Sequence, residues 1–171
     1  MQDDDEWLDL VDDNDVVVGK QLRSDTQENG SRNYRAVALF VRNSSGELWI
    51  PRRTASKRLF PLGLDMSCAG HVGSGESYGE ALKREAMEEL NIDLNAHDVR
   101  CLGAQSPMEG FSCFGKIYEI SSDEAPAFNS ADFVEYFWMT PEQIMEKAEA
   151  GEVMKSDMPL QIEKFYLKRH K

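Results

Sequence analysis

From residue 6 the chain alternates acidic and apolar positions (Glu6-Trp-Leu-Asp-Leu-Val11), breaks at Asp12-Asp13-Asn14-Asp15 and resumes with Val16-Val17-Val18-Gly19. Period-two alternation around an Asp/Asn-rich break predicts a β-hairpin over about 6–19 with an acidic tip. The acids at that tip miss the ligand positions of an EF-hand loop, so no calcium loop is predicted. Apolar runs at 34–42 and 47–50 flank Asn43-Ser-Ser-Gly46 and predict a second, buried hairpin. Residues 51–60, Pro-Arg-Arg-Thr-Ala-Ser-Lys-Arg-Leu-Phe, followed by Pro61 and Gly63, read as a basic loop.

The period then changes. Beyond a glycine-rich loop, Leu82, Ala86 and Leu90 recur at helical spacing and predict a helix over 78–90. Ser77 with Glu80 three residues on is a capping-box pattern, and Asn91 can take the left-handed position that closes the helix. Strands are predicted near 99–104, 111–120 and 133–139. Thr140-Pro-Glu-Gln143 opens a helix to about residue 150, and a last helix covers about 159–167. No repeat or linker divides the chain, so 1–171 is read as one domain of mixed α/β class.

Composition narrows the functions this domain can serve. Among 171 residues, 19 Lys and Arg stand against 31 Asp and Glu, a net charge of −12, which disfavours a nucleic-acid polymer or an anionic membrane as partner. The excess is local: residues 1–28 carry a net −8 and the rest only −4. An acidic start without an apolar core is not a secretory signal, and no run approaches the ~18 apolar residues of a membrane span. Cys68, Cys101 and Cys113 are odd in number and form no Cys-x-x-Cys, which reads as reduced thiols in a cytoplasmic protein.

Chemistry concentrates on the helix at 78–90. Glu85, Glu88 and Glu89 lie at i, i+3 and i+4 and so share an arc of about 100°. Three carboxylates on one face repel one another unless cations sit among them, and hard divalent ions favour such oxygen donors together with phosphate. A solvated face laced by Glu80–Arg84 and Arg84–Glu88 pairs accounts for the same spacing. What precedes the helix decides between them. The segment Gly70-HVGSG-Glu76-SYGEALK-Arg84-Glu85-Ala86-Met87-Glu88-Glu89-Leu90-Asn91-Ile92 resembles the Nudix box over residues 70–92. It departs in Ala86, smaller than usual, and in Asn91 for the final glycine.

The resemblance implies a Nudix fold, a mixed β-sheet sandwiched between helices with the box as loop–helix–loop. It implies Glu85, Glu88 and Glu89 as ligands of Mg²⁺ or Mn²⁺, the Gly70 carbonyl as a further ligand, and Arg84 and Glu76 as the pair that orients them. The reaction implied is metal-assisted attack of water on a phosphoanhydride. The box does not fix the general base; Glu89 and Glu109, in Pro107-Met-Glu-Gly110, are the candidates. The expected activity is a pyrophosphohydrolase converting small nucleoside di- or triphosphates to the monophosphate. Nucleotide sugars, ADP-ribose, dinucleoside polyphosphates, isoprenoid diphosphates and a non-catalytic nucleotide-binding module are alternatives. Trp49, Phe60, Phe111, Phe114 and Trp138 could stack on a base or belong to the core.

Outside the box, Leu8-Asp9-Leu10-Val11-Asp12, Tyr34-Arg35-Ala36-Val37 and Arg52-Arg53-Thr-Ala-Ser-Lys57-Arg58-x-Phe60-Pro61 are similar to the branch containing isopentenyl-diphosphate isomerases. That likeness makes Arg53 and Lys57 candidates for substrate phosphate, which a guanidinium fork or an ammonium suits. It also makes isopentenyl-diphosphate isomerase-like activity an alternative function, but the isomerase pattern itself is broken. Its cysteine position holds Ala69, with Cys68 one residue early; its upstream histidine position holds Tyr34; its downstream glutamate position falls at Phe111. Of His71, His97 and His170, only His71 is in register with it.

Overall fold

A computed structural model describes residues 5–168; Asp3, Asp4 and His170 lie outside the described residues. The hairpin forms as β1 (Trp7–Val11) and β2 (Val17–Leu22), a two-stranded sheet of its own. At its tip, the Asp12 carboxylate accepts the Asn14 and Val16 N–H groups, which is how an Asp sets a turn. A short helix not foreseen in the sequence, α1 (Arg23–Glu28), follows.

The main sheet is built on β3 (Arg35–Arg42), whose alternate residues feed two cores. Val37, Leu39 and Val41 face one helical layer; Ala38 and Phe40 face the other. Such a two-sided strand needs apolar residues at every position, which explains the unbroken run at 36–41. One edge of β3 pairs in parallel with β7 (Phe114–Ser121), and β7 pairs antiparallel with β6 (Arg100–Gln105). The other edge is divided. Its first half pairs with β5 (Cys68–His71), while at Arg42 it meets β4 (Leu48–Arg53), which then splays away to pair with β8 (Phe133–Met139).

The first helical layer is α2 (Tyr78–Leu90), over the core of Leu39, Trp49, Ala86 and Leu90. The second comprises α3 (Pro141–Glu149) and α4 (Met158–Ile162). Thr140 and Gln143 exchange both bonds of a capping box, whereas at α2 the Ser77 hydroxyl accepts the Glu80 N–H. The fold is therefore the mixed sheet between helices that the sequence implied.

Three local readings need correction. Arg52 and Arg53 belong to β4, pairing with Glu135 and Phe133, so the basic loop begins only at Thr54. The strand expected from residue 111 starts at Phe114, because Pro107–Glu109 forms a 3-10 turn closed by Gly110 at a φ of 95°. The last helix ends its α-helical part at Ile162 and continues as a π-helical turn, Glu163–Leu167.

Candidate active site

The helix α2 begins where Ser77 caps it and stops where Asn91 adopts a φ of 54°, the left-handed conformation that asparagine tolerates. The last carbonyls are not left bare: the Asn129 side chain donates to Glu88 O and its backbone N–H to Glu89 O. With Ala81, Leu82, Ala86 and Leu90 buried, Glu85 and Glu89 are turned under the helix toward β5. Ala86 is fully buried in that packing.

At β5 the fit is close. A Cβ on Gly70 would sit 2.1 Å from the Glu85 carboxyl, so only glycine lets that side chain lie against the strand. Glu89 Oε1 accepts the Ala69 N–H at 3.0 Å. Arg84 holds the group together from outside: Nε and Nη2 fork onto Glu76 at 2.8 and 3.0 Å, Nη1 reaches Glu85 at 2.7 Å, and Nη2 also donates to His71 O. Glu76 in turn accepts the Gly73 N–H. Glu88 remains largely in solvent, 3.6 Å from Arg84.

Burial sets the charges. Desolvation, reinforced by neighbouring Asp65 and Glu85, pushes the Glu89 carboxyl up to about 8. Glu85 is pushed up to about 7 by burial, against the opposing pull of Arg84. Glu76 is held below the ordinary range by its hydrogen bonds from Arg84. His71, its ring tilted against that of Tyr34 and 3.4 Å from Glu6, is held below the usual imidazole value by burial.

Among the described residues, no three His, Cys, Asp or Glu side chains are gathered closely enough to enclose a metal ion. The donor chemistry still fits a hard divalent cation. Glu85 and Glu89 are buried oxygen donors; among the described residues Arg84 is bonded to Glu85 and no ion pair is formed by Glu89, so an added cation at this face would relieve both.

Against β5, on the sheet face that carries Ala38, Ala69 and Ile117, lies a cavity of about 270 Å³. Ala69 and Gly70 form one wall, Arg53 and Lys155 another, and Gln105 and Gln161 line it as well. Asp65, buried, joins the two cations: its Oδ2 accepts from Arg53 Nη1 at 2.6 Å, and its Oδ1 is 3.9 Å from Lys155.

A family model for the NUDIX domain matches residues 32–157. The chain belongs to the Nudix hydrolase family. An uncharacterized Nudix hydrolase of Nostoc sp. is 48% identical over 167 residues, 97% of this chain and 99% of that protein. The crystal structure of DR0079 from Deinococcus radiodurans superposes with a TM-score of 0.89 at 44% identity, covering 94% of this chain and 99% of that one. More distantly, an isopentenyl-diphosphate Δ-isomerase of Kocuria rhizophila is 26% identical over 149 residues, 83% of this chain and 82% of that protein.

The residues singled out in the sequence are distributed unequally around this Nudix site. Gly70, Glu76, Arg84, Glu85 and Glu89 come together as described. Arg53 lines the cavity; besides Asp65 its Nε reaches Leu59 O. Lys57 is bonded to Asp132 at 2.8 Å and is not a cavity wall; Lys155 occupies the place beside Arg53. Glu109 sits in the 3-10 turn, bonded to Lys164 at 2.6 Å, away from the cavity lining. Of the aromatic candidates Phe60 lines the cavity, whereas Trp49, Phe111 and Phe114 are core residues and Trp138 packs on the core.

The one-residue displacement of cysteine has its expected consequence. Cys68 and Ala69 pair with Leu39 and Ala38, so they face opposite sides of the sheet. Cys68 is buried beneath α2, and Ala69 faces the cavity. Lys155, Asp157 and Gln161 were missed because they lie on an irregular segment and a short helix far along the chain, joined to the site only by tertiary packing. The polar residues around Ser156 offered no periodic signal.

Proposed function

We propose that this Nudix hydrolase is a Mg²⁺- or Mn²⁺-dependent pyrophosphohydrolase that cleaves small nucleoside di- or triphosphates to the monophosphate by attack of water at phosphorus. The observation that carries this reading is the shared wall. Ala69 and Gly70 line the cavity on one side and meet Glu89 and Glu85 on the other. A substrate in the cavity therefore has its phosphates next to the acidic helix face and to Arg53 and Lys155.

Glu85, Glu88 and Glu89, with the Gly70 carbonyl, would hold the cation. When bound, it supplies charge neutralisation at the diphosphate and acidifies a water molecule. Arg53 and Lys155 bind phosphate oxygens; the Arg53 donors outside its Asp65 and Leu59 bonds are available for this. Arg84, by forking onto Glu76 and reaching Glu85, fixes the carboxylates before substrate arrives. Glu89 is the favoured base. Its carboxylate is bonded to the Ala69 N–H and so adjoins the cavity wall, within reach of a water beside the bound phosphates. Glu109, engaged by Lys164, is the weaker candidate. The three cysteines are unpaired, which supports a reducing, cytoplasmic setting, and among the described residues no helix is long and apolar enough to cross a membrane.

The test is a panel of nucleoside di- and triphosphates incubated with purified protein and Mg²⁺ or Mn²⁺ at several pH values. The expected result is a nucleoside monophosphate with release of phosphate or pyrophosphate. Failure to release either from any member of the panel would overturn the reading.

A further inference from the structure

Between β4 and residues 153–155 runs a stretch of chain that brings two distant cations onto one acid. Gly63 O accepts the Arg53 N–H, and the Asp65 N–H donates to Pro51 O. On the opposite side the Leu64 N–H donates to Val153 O, and Leu64 O accepts the Lys155 N–H. Leu64 accordingly bridges Arg52 on one flank and Met154 on the other. Residues 63–65 thus lie like a short middle strand, with Arg53 to one side and Lys155 to the other. Both cations line the cavity, and the residue between them is the buried Asp65.

At 2% exposed, Asp65 is too deep to touch a ligand itself. Its Oδ1 accepts the Met66 N–H at 2.8 Å, which ties the carboxylate to its own backbone. Its Oδ2 accepts from Arg53 Nη1 at 2.6 Å, and Lys155 Nζ stands 3.9 Å from Oδ1. Arg53 has a second anchor, because its Nε donates to Leu59 O at 3.1 Å. Two anchors on different nitrogens fix the guanidinium plane and leave Nη2, among the described residues, with both hydrogens unused. A negative charge this close to a phosphate site weakens its pull on an anion, so what it contributes there is geometry. It pairs a guanidinium that is only 12% exposed, and it holds together two cations that would otherwise repel one another before a phosphate arrives.

We infer that Asp65 is a positioning residue, which holds Arg53 and Lys155 as a preformed clamp for the diphosphate of the substrate. The two cations meet the ligand, and Asp65 acts only through them. The inference rests on the phosphate-binding part of the reading above and names what orders it.

Imidodiphosphate, a pyrophosphate analogue with a nitrogen bridge that resists hydrolysis, separates this clamp from turnover. Calorimetry with Mg²⁺ would compare the wild type with Asp65→Asn, Arg53→Gln and the double variant, each checked for folding by circular dichroism and melting. Asparagine keeps the shape of Asp65 but has one acceptor oxygen for two donors and no charge for Lys155. Asp65→Asn should weaken binding about tenfold when Arg53 is present and by less than about twofold when it is not. For any nucleotide the protein hydrolyses, the loss should appear in KM rather than in kcat. Unchanged or tighter binding by Asp65→Asn, an equal loss in both backgrounds, a loss confined to kcat, or no binding by the wild type overturns the assignment and leaves Asp65 as an internal counter-ion. Should the asparagine variant not fold, Arg53→Lys takes its place. Lysine keeps the charge but cannot bond Asp65, Leu59 O and a phosphate from one fixed plane, so its affinity should fall to within about twofold of Arg53→Gln. An affinity nearer the wild type overturns the assignment. The expected pattern in a protein that hydrolyses no nucleotide would sustain the clamp and remove the hydrolase reading; nucleotide hydrolysis without the pattern would do the reverse.

Discussion

The acidic hairpin and the acidic face of α2 are both dense in carboxylates, yet the protein uses them in opposite ways. In the hairpin and its lead-in each of several acids has its partners inside the chain. Asp15 accepts from Arg35 at 2.7 Å and from the Tyr78 hydroxyl at 2.8 Å; Asp9 accepts from the Ser74 hydroxyl and the Gly75 N–H; Glu6 meets Arg23 and His71. These bonds pin the hairpin to the loop before α2 and to the first residue of that helix. On α2, Glu85 and Glu89 are buried with too little positive charge around them, and Glu88 projects into solvent. A satisfied carboxylate holds structure; one buried without enough cations fits the proposal that a charge comes to it from outside. Net charge alone could not separate the two.

The largest expected effects follow from removing that prepared charge. Glu89→Gln and Glu85→Gln should each lower kcat/KM by about a hundredfold or more, by analogy with loss of a preorganised electrostatic group, while the proteins stay folded. Nucleotide turnover with Mg²⁺ and a thermal melt read both quantities. Turnover within a few-fold of wild type in both variants would mean that the α2 acids are only a charged surface. Gly70→Ala should damage the same site by steric means, because its Cβ would occupy the space of the Glu85 carboxyl.

The hairpin should respond in the other currency. Asp15→Ala removes the carboxylate acceptor for Arg35 and Tyr78 and leaves the Arg35 guanidinium, 16% exposed, less well paired. A loss of about 2–3 kcal/mol in unfolding free energy is expected, with the denaturant dependence unchanged. Activity of the folded fraction should fall far less than for Glu89→Gln. An equal collapse of turnover, with stability intact, would erase the distinction between the two regions.

Much of this division was legible in the sequence, and what was not has a physical reason. The helix at 78–90 is marked at both ends by local chemistry, Ser77 and Asn91, and its acids are spaced by the helix itself. The spacing from Gly70 is equally local, since loop and helix are contiguous. Arg53 could be singled out but not its strand, because the extension of β4 depends on the partner β8, some eighty residues away. Lys57 and Lys155 show the same limit. Both are lysines near polar residues, and only packing decides that one is bonded to Asp132 while the other reaches the cavity. The hairpin's docking on α2 was likewise invisible, since alternation predicts a strand and not the surface it rests on.

A smaller effect should appear in the pH dependence of the metal-free protein. Glu85 and Glu89 have folded pKa values of about 7 and about 8, above the unfolded value near 4.5. Between those limits the folded protein holds protons that the unfolded chain has released, so stability should fall as pH rises from about 5 to 8. The slope is bounded by about 1.4 kcal/mol per pH unit for each group. Glu89→Gln should flatten it, and Mg²⁺ should reverse part of it by favouring the ionised form. Urea unfolding in a chelator at pH 5, 6, 7 and 8 measures this. A stability that rises over the range in both proteins would show that the α2 acids are as well paired as those of the hairpin.

Glu88→Gln should have the smallest effect on stability and therefore separates the two uses most sharply. Its side chain is 59% exposed and stands 3.6 Å from Arg84, a contact that solvent largely screens. The unfolding free energy should change by less than about 0.5 kcal/mol in either direction. Turnover should nevertheless drop if, as proposed, this exposed carboxylate acts with Glu85 and Glu89 to attract the cation. The drop should shrink as Mg²⁺ or Mn²⁺ is raised, since weaker binding is offset by concentration. If stability and turnover are both unchanged at limiting metal, Glu88 has no part in the site and the prepared charge belongs to Glu85 and Glu89 alone.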